Sequence, residues 1–179
     1  MGSRIVNACM KAGITAAFAL TAGIASAQQS SDNQVNAVTD WSVFVENEPK
    51  ECWAVSTAKE TVNTKEGRVV AVRRSDILMM VVFRPSVNVS GQVGFTGGYP
   101  FAKGSTVNLD VDGTDFELFT EGEWAWPAST AEDAKIVTAM KRGAKAVLTA
   151  RSSRGTKTVD TFSLLGFTAS VEDAEKRCK

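Results

Sequence analysis

Hydrophobic and polar positions alternate with period two through most of the chain, and the alternation breaks into short strands. WSVFVE (41–46) and CWAVST (52–57) read as two strands separated by the turn-forming NEPKE. RVVAVRR (68–74) and ILMMVVFR (77–84) follow, rich in β-branched residues, and Pro85 stops the second run. NVSGQVGFTGGYPF (88–101) alternates weakly and carries four glycines, which predicts a bulged or bent strand running into a loop. TVNLDV (106–111) and TDFELFT (114–120) flank Asp112-Gly113, a strong two-residue hairpin signal. AKAVLTAR (144–151) and TKTVDTFSL (156–164) form a further hairpin around SSRG.

Twice the period shifts to helical. In ASTAEDAKIVTAMKRG (128–143), Ile136, Val137 and Met140 make an apolar stripe. Ser129 or Thr130 caps the start, Glu132 or Asp133 completes a capping box, and Gly143 marks the stop. TASVEDAEKRC (168–178) reads as a short C-terminal helix with Val171 and Ala174 inward. Connections this short favour antiparallel pairing. The expected fold is mainly β: an antiparallel β-sandwich with one mid-chain helix and a short C-terminal helix, occupying a single domain over residues 41–179. Residues 28–40 are polar and aperiodic and read as a flexible lead-in.

The first 27 residues read as a targeting segment. Arg4 and Lys11 precede an apolar, Ala-rich run at 12–25, and Ala25-Ser26-Ala27 gives an A-x-A site with cleavage expected before Gln28. The run is shorter than the ~20 residues a membrane span needs, and no other stretch is apolar for long enough. A periplasmic or secreted location is expected, with no transmembrane segment after cleavage.

That location changes the reading of the cysteines. Cleavage would remove Cys9, leaving Cys52 and Cys178, an even number in an oxidising compartment. An intramolecular disulfide between them is the expected outcome. A reactive pair and pairing with another chain are the alternatives. No C-x-x-C spacing favours the reactive pair.

Charge and composition narrow the function. The chain has 20 Lys+Arg and 20 Asp+Glu, and loss of Arg4 and Lys11 leaves 18 against 20. A net charge of −2 argues against a protein built for nucleic acid. The chain contains no histidine, which removes Ser-His-Asp and Cys-His catalysis and His-ligated zinc. The sequence is therefore read as non-enzymatic, with no cofactor and no metal site, and a carboxylate-based hydrolase is the remaining catalytic alternative.

The chain from 41 to 178 resembles the invasion-associated locus B family of alphaproteobacterial secreted proteins. The residues that carry the resemblance are the AMK-x-G helix end (139–143), the SSRGT turn (152–156) and the FSL-x-GF segment (162–167) before a helix ending in cysteine. Upstream, Trp41, Cys52, an RP pair (84–85) and AWP (125–127) fit in order. The resemblance implies a periplasmic or surface-exposed β-rich domain, associated in some pathogens with host-cell invasion. It brings no catalytic residue set.

Three stretches carry candidate chemistry. RSSRGTK (151–157) gathers Arg151, Arg154 and Lys157 on one hairpin tip, with Ser152, Ser153 and Thr156 as hydroxyl donors. Such a tip suits a carboxylate, phosphate or sulfated sugar, because Arg offers paired donors; the bland alternative is a solvated hairpin with Gly155 in its turn. EGEWAWP (121–127) puts Trp124 and Trp126 on one face of an extended segment, where they stack on sugar rings or anchor a protein partner if exposed, and pack in the core if not. Tyr99 and Phe101 raise the same choice. The acids Asp110, Asp112, Asp115 and Glu117 do not match a calcium loop, and the Asp-Gly turn accounts for most of them. The expected partner is a protein or glycan of the cell envelope, met at the 151–157 tip; a small-ligand or carbohydrate-binding module using the aromatics is the alternative.

Overall fold

The computed structural model describes residues 33–179. The expected leader (1–27) and the first part of the lead-in lie outside the described residues.

Among the described residues, twelve strands and two α-helices follow one another. The strands are β1 (Gln34–Val38), β2 (Trp41–Asn47), β3 (Lys50–Thr57), β4 (Glu60–Lys65), β5 (Arg68–Val69), β6 (Leu78–Arg84), β7 (Val89–Thr96), β8 (Thr106–Val111), β9 (Thr114–Glu121), β10 (Trp124–Trp126), β11 (Lys145–Arg151) and β12 (Lys157–Ser163). The helices are α1 (Thr130–Arg142) and α2 (Phe167–Arg177). All strands join one antiparallel sheet in the order β1-β2-β3-β6-β7-β10-β9-β8-β11-β12-β4-β5. The mainly β, antiparallel architecture with a mid-chain and a C-terminal helix is the expected one. The two layers of the sandwich are halves of this one sheet, which folds over so that distant strands meet. Phe95 on β7 stacks edge-on against Phe162 on β12 with ring centroids 6.2 Å apart.

Alternation decides which residues fill the space between the layers. Val43, Ala54, Val81, Val93, Leu118, Leu109 and Leu148 are fully buried, and their chain neighbours other than Val82 and Gly94 are exposed or half-buried. α2 closes one end of this core. Its Phe167 meets Trp41 edge-on at 4.8 Å, and the Trp41 indole donates to the Ser163 carbonyl at 2.9 Å. The Cys52–Cys178 disulfide, Cα–Cα 5.8 Å, fastens the end of α2 to β3.

Both helix ends have local causes. The Ser129 hydroxyl accepts from the Glu132 N–H at 3.3 Å, which selects Ser129 over Thr130 as the cap. Gly143 ends α1 with φ −86°, so no left-handed turn requires it. Space does: a Cβ there would lie 2.9 Å from Val111 Cγ1 and 3.0 Å from Leu164 Cδ1.

The structure has a strand, β4, that the sequence reading did not place, and two further segments differ from that reading. Residues 34–38 of the expected lead-in are strand β1, paired with β2 from Val38↔Trp41 to Gln34↔Phe44. Its residues are mostly exposed, so it carries no alternation to betray it. The strand expected over 68–74 stops at Val69, and residues 70–77 form a strap without ladder pairing. The Arg74 side chain fixes that strap by contacts described below.

Asp133 on α1 is a buried carboxylate that accepts the Val93 N–H at 2.8 Å. Burial raises its pKa above the usual 3.8, and the Val93 hydrogen bond opposes the shift less strongly. A raised folded-state pKa means the folded protein holds the extra proton. The stability this group contributes is therefore present below the unfolded pKa and lost as pH rises through the folded one. Asp133→Asn keeps an acceptor for Val93 and removes the charge. The expected result is a higher melting temperature than wild type at pH 7, by roughly 2–4 °C per kcal/mol relieved, with the two curves converging towards pH 3. Thermal melts at the two pH values check it.

Candidate functional site

Two hairpin tips stand side by side at one end of the sheet, because β12 pairs with β4 in a register that sets Lys157 opposite Thr64. The first tip joins β11 to β12. The Ser152 N–H donates to the Thr156 carbonyl at 2.9 Å, the Thr156 N–H to Ser152 Oγ at 3.1 Å, and the Gly155 N–H to the Ser152 carbonyl at 2.8 Å. Gly155 sits at φ 81°, where a side chain would be strained. The second tip joins β4 to β5 through Glu66 (φ 52°) and Gly67 (φ 76°), a two-residue turn of the left-handed kind that suits hairpins.

The first turn sorts the predicted residues into two groups. Ser152 and Thr156 are buried, each 7% exposed, and Ser152 Oγ closes the turn. Their backbone groups and Ser152 Oγ build the tip, and both residues also line the hollow behind it. Arg151 and Lys157 are cross-strand partners, and with Arg154 they are exposed. Lys65 from the second tip joins them around a concavity of about 740 Å³ with Glu66 as its acid. None of the ion pairs among the described residues engages these four cations. Lys65 was not legible in the sequence, since only the β12–β4 pairing brings it there.

Behind the tips, the strap 70–77 is held by a buried anchor. Arg74 donates to both carboxylate oxygens of Asp160, at 2.7 and 2.6 Å, with side-chain exposures of 6% and 0%. Its Nε donates to the Gly97 carbonyl at 2.7 Å and its Nη1 to Thr61 Oγ1 at 2.8 Å. The guanidinium lies 4.9 Å from the centroid of the Tyr99 ring, and the Tyr99 hydroxyl shares a hydrogen bond with Thr158. Burial pushes the Tyr99 phenol up from its usual pKa, partly offset by Thr158 and Arg74. Tyr99 is thus part of the anchor, and Phe101 is core. Between strap and tip lies a second hollow of about 510 Å³, lined by Arg73, Tyr99, Ser153 and Arg154 with Glu123. Arg154 borders both hollows.

Trp124 and Trp126 do share a face, as the alternation predicts. They are half-buried on the outer side of β10, ring centroids 5.4 Å apart and 18° from parallel. Trp126 lies over Gly94, where a Cβ would come within 2.6 Å of its ring. Phe119, opposite Trp126 on β9, is 50% exposed. Three acids of the β8–β9 hairpin are engaged locally: Asp110 accepts from Gly113 N–H, Asp112 from Ala144 N–H at 2.6 Å, and Asp115 from Asn108 at 3.0 Å, while Glu117 is exposed on the outer face of β9. The three aspartates hold turns and strand ends together.

The chain matches the invasion associated locus B (IalB) protein family over residues 41–175. Among solved structures it is similar to the crystal structure of invasion associated protein B from Bartonella henselae, with 18% identity, a TM-score of 0.52, and coverage of 78% of this chain and 94% of that one. At that identity the likeness shows the fold alone. No curated protein matches the chain significantly.

Proposed function

Because the chain belongs to the invasion associated locus B family, we propose that it is an exported cell-envelope protein that acts by binding, and that it captures an anionic partner at the basic end of its sheet. The observation that carries this reading is the set Lys65, Arg151, Arg154 and Lys157. Four exposed cations face one concavity, with no ion pair to any of them among the described residues, on a chain of zero formal net charge. Unpaired cations held on rigid hairpins attract and orient anionic groups, and arginines there bind carboxylate, phosphate or sulfate with paired donors. The Cys52–Cys178 bridge and the leader-like residues 1–27 support a periplasmic or secreted location. Carboxylates tied up in turns, and the absence of histidine from the sequence, support binding over catalysis.

The test is the double charge reversal Arg151→Glu with Arg154→Glu. Both side chains are exposed and outside the core, so the melting temperature should stay within about 2 °C of wild type. Affinity for a fluorescent heparin oligosaccharide and for inorganic polyphosphate should fall at least tenfold, read by anisotropy. Unchanged affinity for both probes contradicts the proposal.

A further inference from the structure

Resting on that reading of the basic end, we infer that the anionic partner is an acidic polysaccharide, which runs from Arg151 on β11 and Lys157 on β12 onto an aromatic row on β9 and β10. Strand register places these groups on one surface. Trp126 is opposite Phe119, and Phe119 is opposite Thr106 on β8. Cross-strand partners share a face of the sheet. β8 pairs with β11 through Asn108↔Thr149, so Thr106 and Arg151, each two residues further on, keep that outer face. Arg151 is opposite Lys157, and Lys157 is opposite Thr64. Rings on β9 and cations on β11 are thus two strand spacings apart, about 10 Å.

The charges along this surface select a polysaccharide over a plain polyanion. Glu117 and Glu121 lie on the same outer face of β9, on either side of Phe119, opposite Asn108 and Trp124. A linear polyanion with no hydroxyls to donate and no ring faces to stack finds only repulsion there. A glycan presents hydroxyls that donate to these carboxylates, ring faces that stack on Phe119 and Trp126, and acid groups for Arg151, Arg154 and Lys157. Trp126 is already held by packing on Gly94 and against Trp124, so little ordering remains on binding.

The experiment compares a heparin oligosaccharide with inorganic polyphosphate of matched charge, using the full chain as its host exports it. Phe119→Ser is the leading variant because half of that residue is exposed; Trp126→Leu, whose fold is checked by melting, is the second. The inference predicts that each variant weakens the heparin oligosaccharide at least fivefold and leaves polyphosphate within twofold. It also predicts a shift of Trp emission with the glycan and none with polyphosphate. If both variants bind the glycan as wild type does while Arg151→Glu with Arg154→Glu abolishes binding, the polysaccharide inference is overturned and anion capture stands. If the charge reversal changes neither probe, both fall.

Discussion

Asp160→Ala is expected to destabilise the protein by about 3–5 kcal/mol, because it strands a buried guanidinium. Asp160 is fully buried and receives two hydrogen bonds from Arg74, whose side chain is itself 6% exposed. Truncating the acid leaves Arg74 with neutral acceptors only: the Gly97 carbonyl, Thr61 and Asn63. The Tyr99 ring beside it offers a modest cation–π attraction and cannot replace a carboxylate. Removing both charges, as Arg74→Met with Asp160→Leu, should recover much of the loss, since apolar replacements of a buried pair are often close to neutral. Urea unfolding of the two single variants and the double variant measures the coupling. Hydrogen exchange adds the structural readout: residues 70–77 should lose protection first, because few backbone contacts other than Val70 N–H to Asn63 and Ser75 N–H to Gly98 hold that strap. A cost below about 1 kcal/mol for Asp160→Ala would remove the anchor from the account.

The second large effect concerns the bridge. Cys52 and Cys178 are 126 residues apart, and closing a loop of that length restricts the unfolded chain by up to ~4–5 kcal/mol in the entropy model. The native state has its own stake. α2 has 11 residues, too few to hold as an isolated helix, and it stays in place through Phe167, Val171, Ala174 and the bridge. Cys52→Ser with Cys178→Ser should therefore lower stability by about 2–5 kcal/mol and raise hydrogen exchange in α2 more than in β6 or β7. Charge reversal at the basic end should leave this quantity unchanged, since that end lies on other strands. A variant lacking both thiols that melts with wild type would show that packing alone holds α2.

The sequence marked out the elements wherever burial imposed a period. The β2, β3, β6, β8, β9, β11 and β12 strands each have one buried and one outward face, and α1 has a cap and an apolar stripe. β1 and β4 escaped because neither has a buried face: QVNAV and ETVNTK are exposed or half-exposed along their length. They are ordered by backbone pairing with β2 and β12, which leaves no trace in side-chain pattern. Residues 68–74 misled for the opposite reason. RVVAVRR is a sound strand by composition, but the chain leaves the ladder after Val69, and Arg74 is held by the buried Asp160 carboxylate instead. The same logic applies to the site. Arg151, Arg154 and Lys157 share a hairpin and were visible as a group; Lys65 and Phe119 join them only through register, and Arg73 only through the strap that Arg74 anchors. Ser152 and Thr156 were visible as polar residues in a turn, yet chain chemistry alone does not say whether a hydroxyl faces solvent or closes its own loop.

Anion capture at the basic end of the sheet must weaken with salt, and the salt dependence of binding measures it. Affinity for the heparin oligosaccharide would be measured across a series of sodium chloride concentrations for wild type, Lys65→Gln, Arg151→Gln and Lys157→Gln. Each cation that contacts the ligand releases counterions from it, so log affinity should fall linearly with log salt, and each substitution should make the slope shallower by about one. A slope that is the same in all four proteins, or an affinity indifferent to salt, would contradict the account.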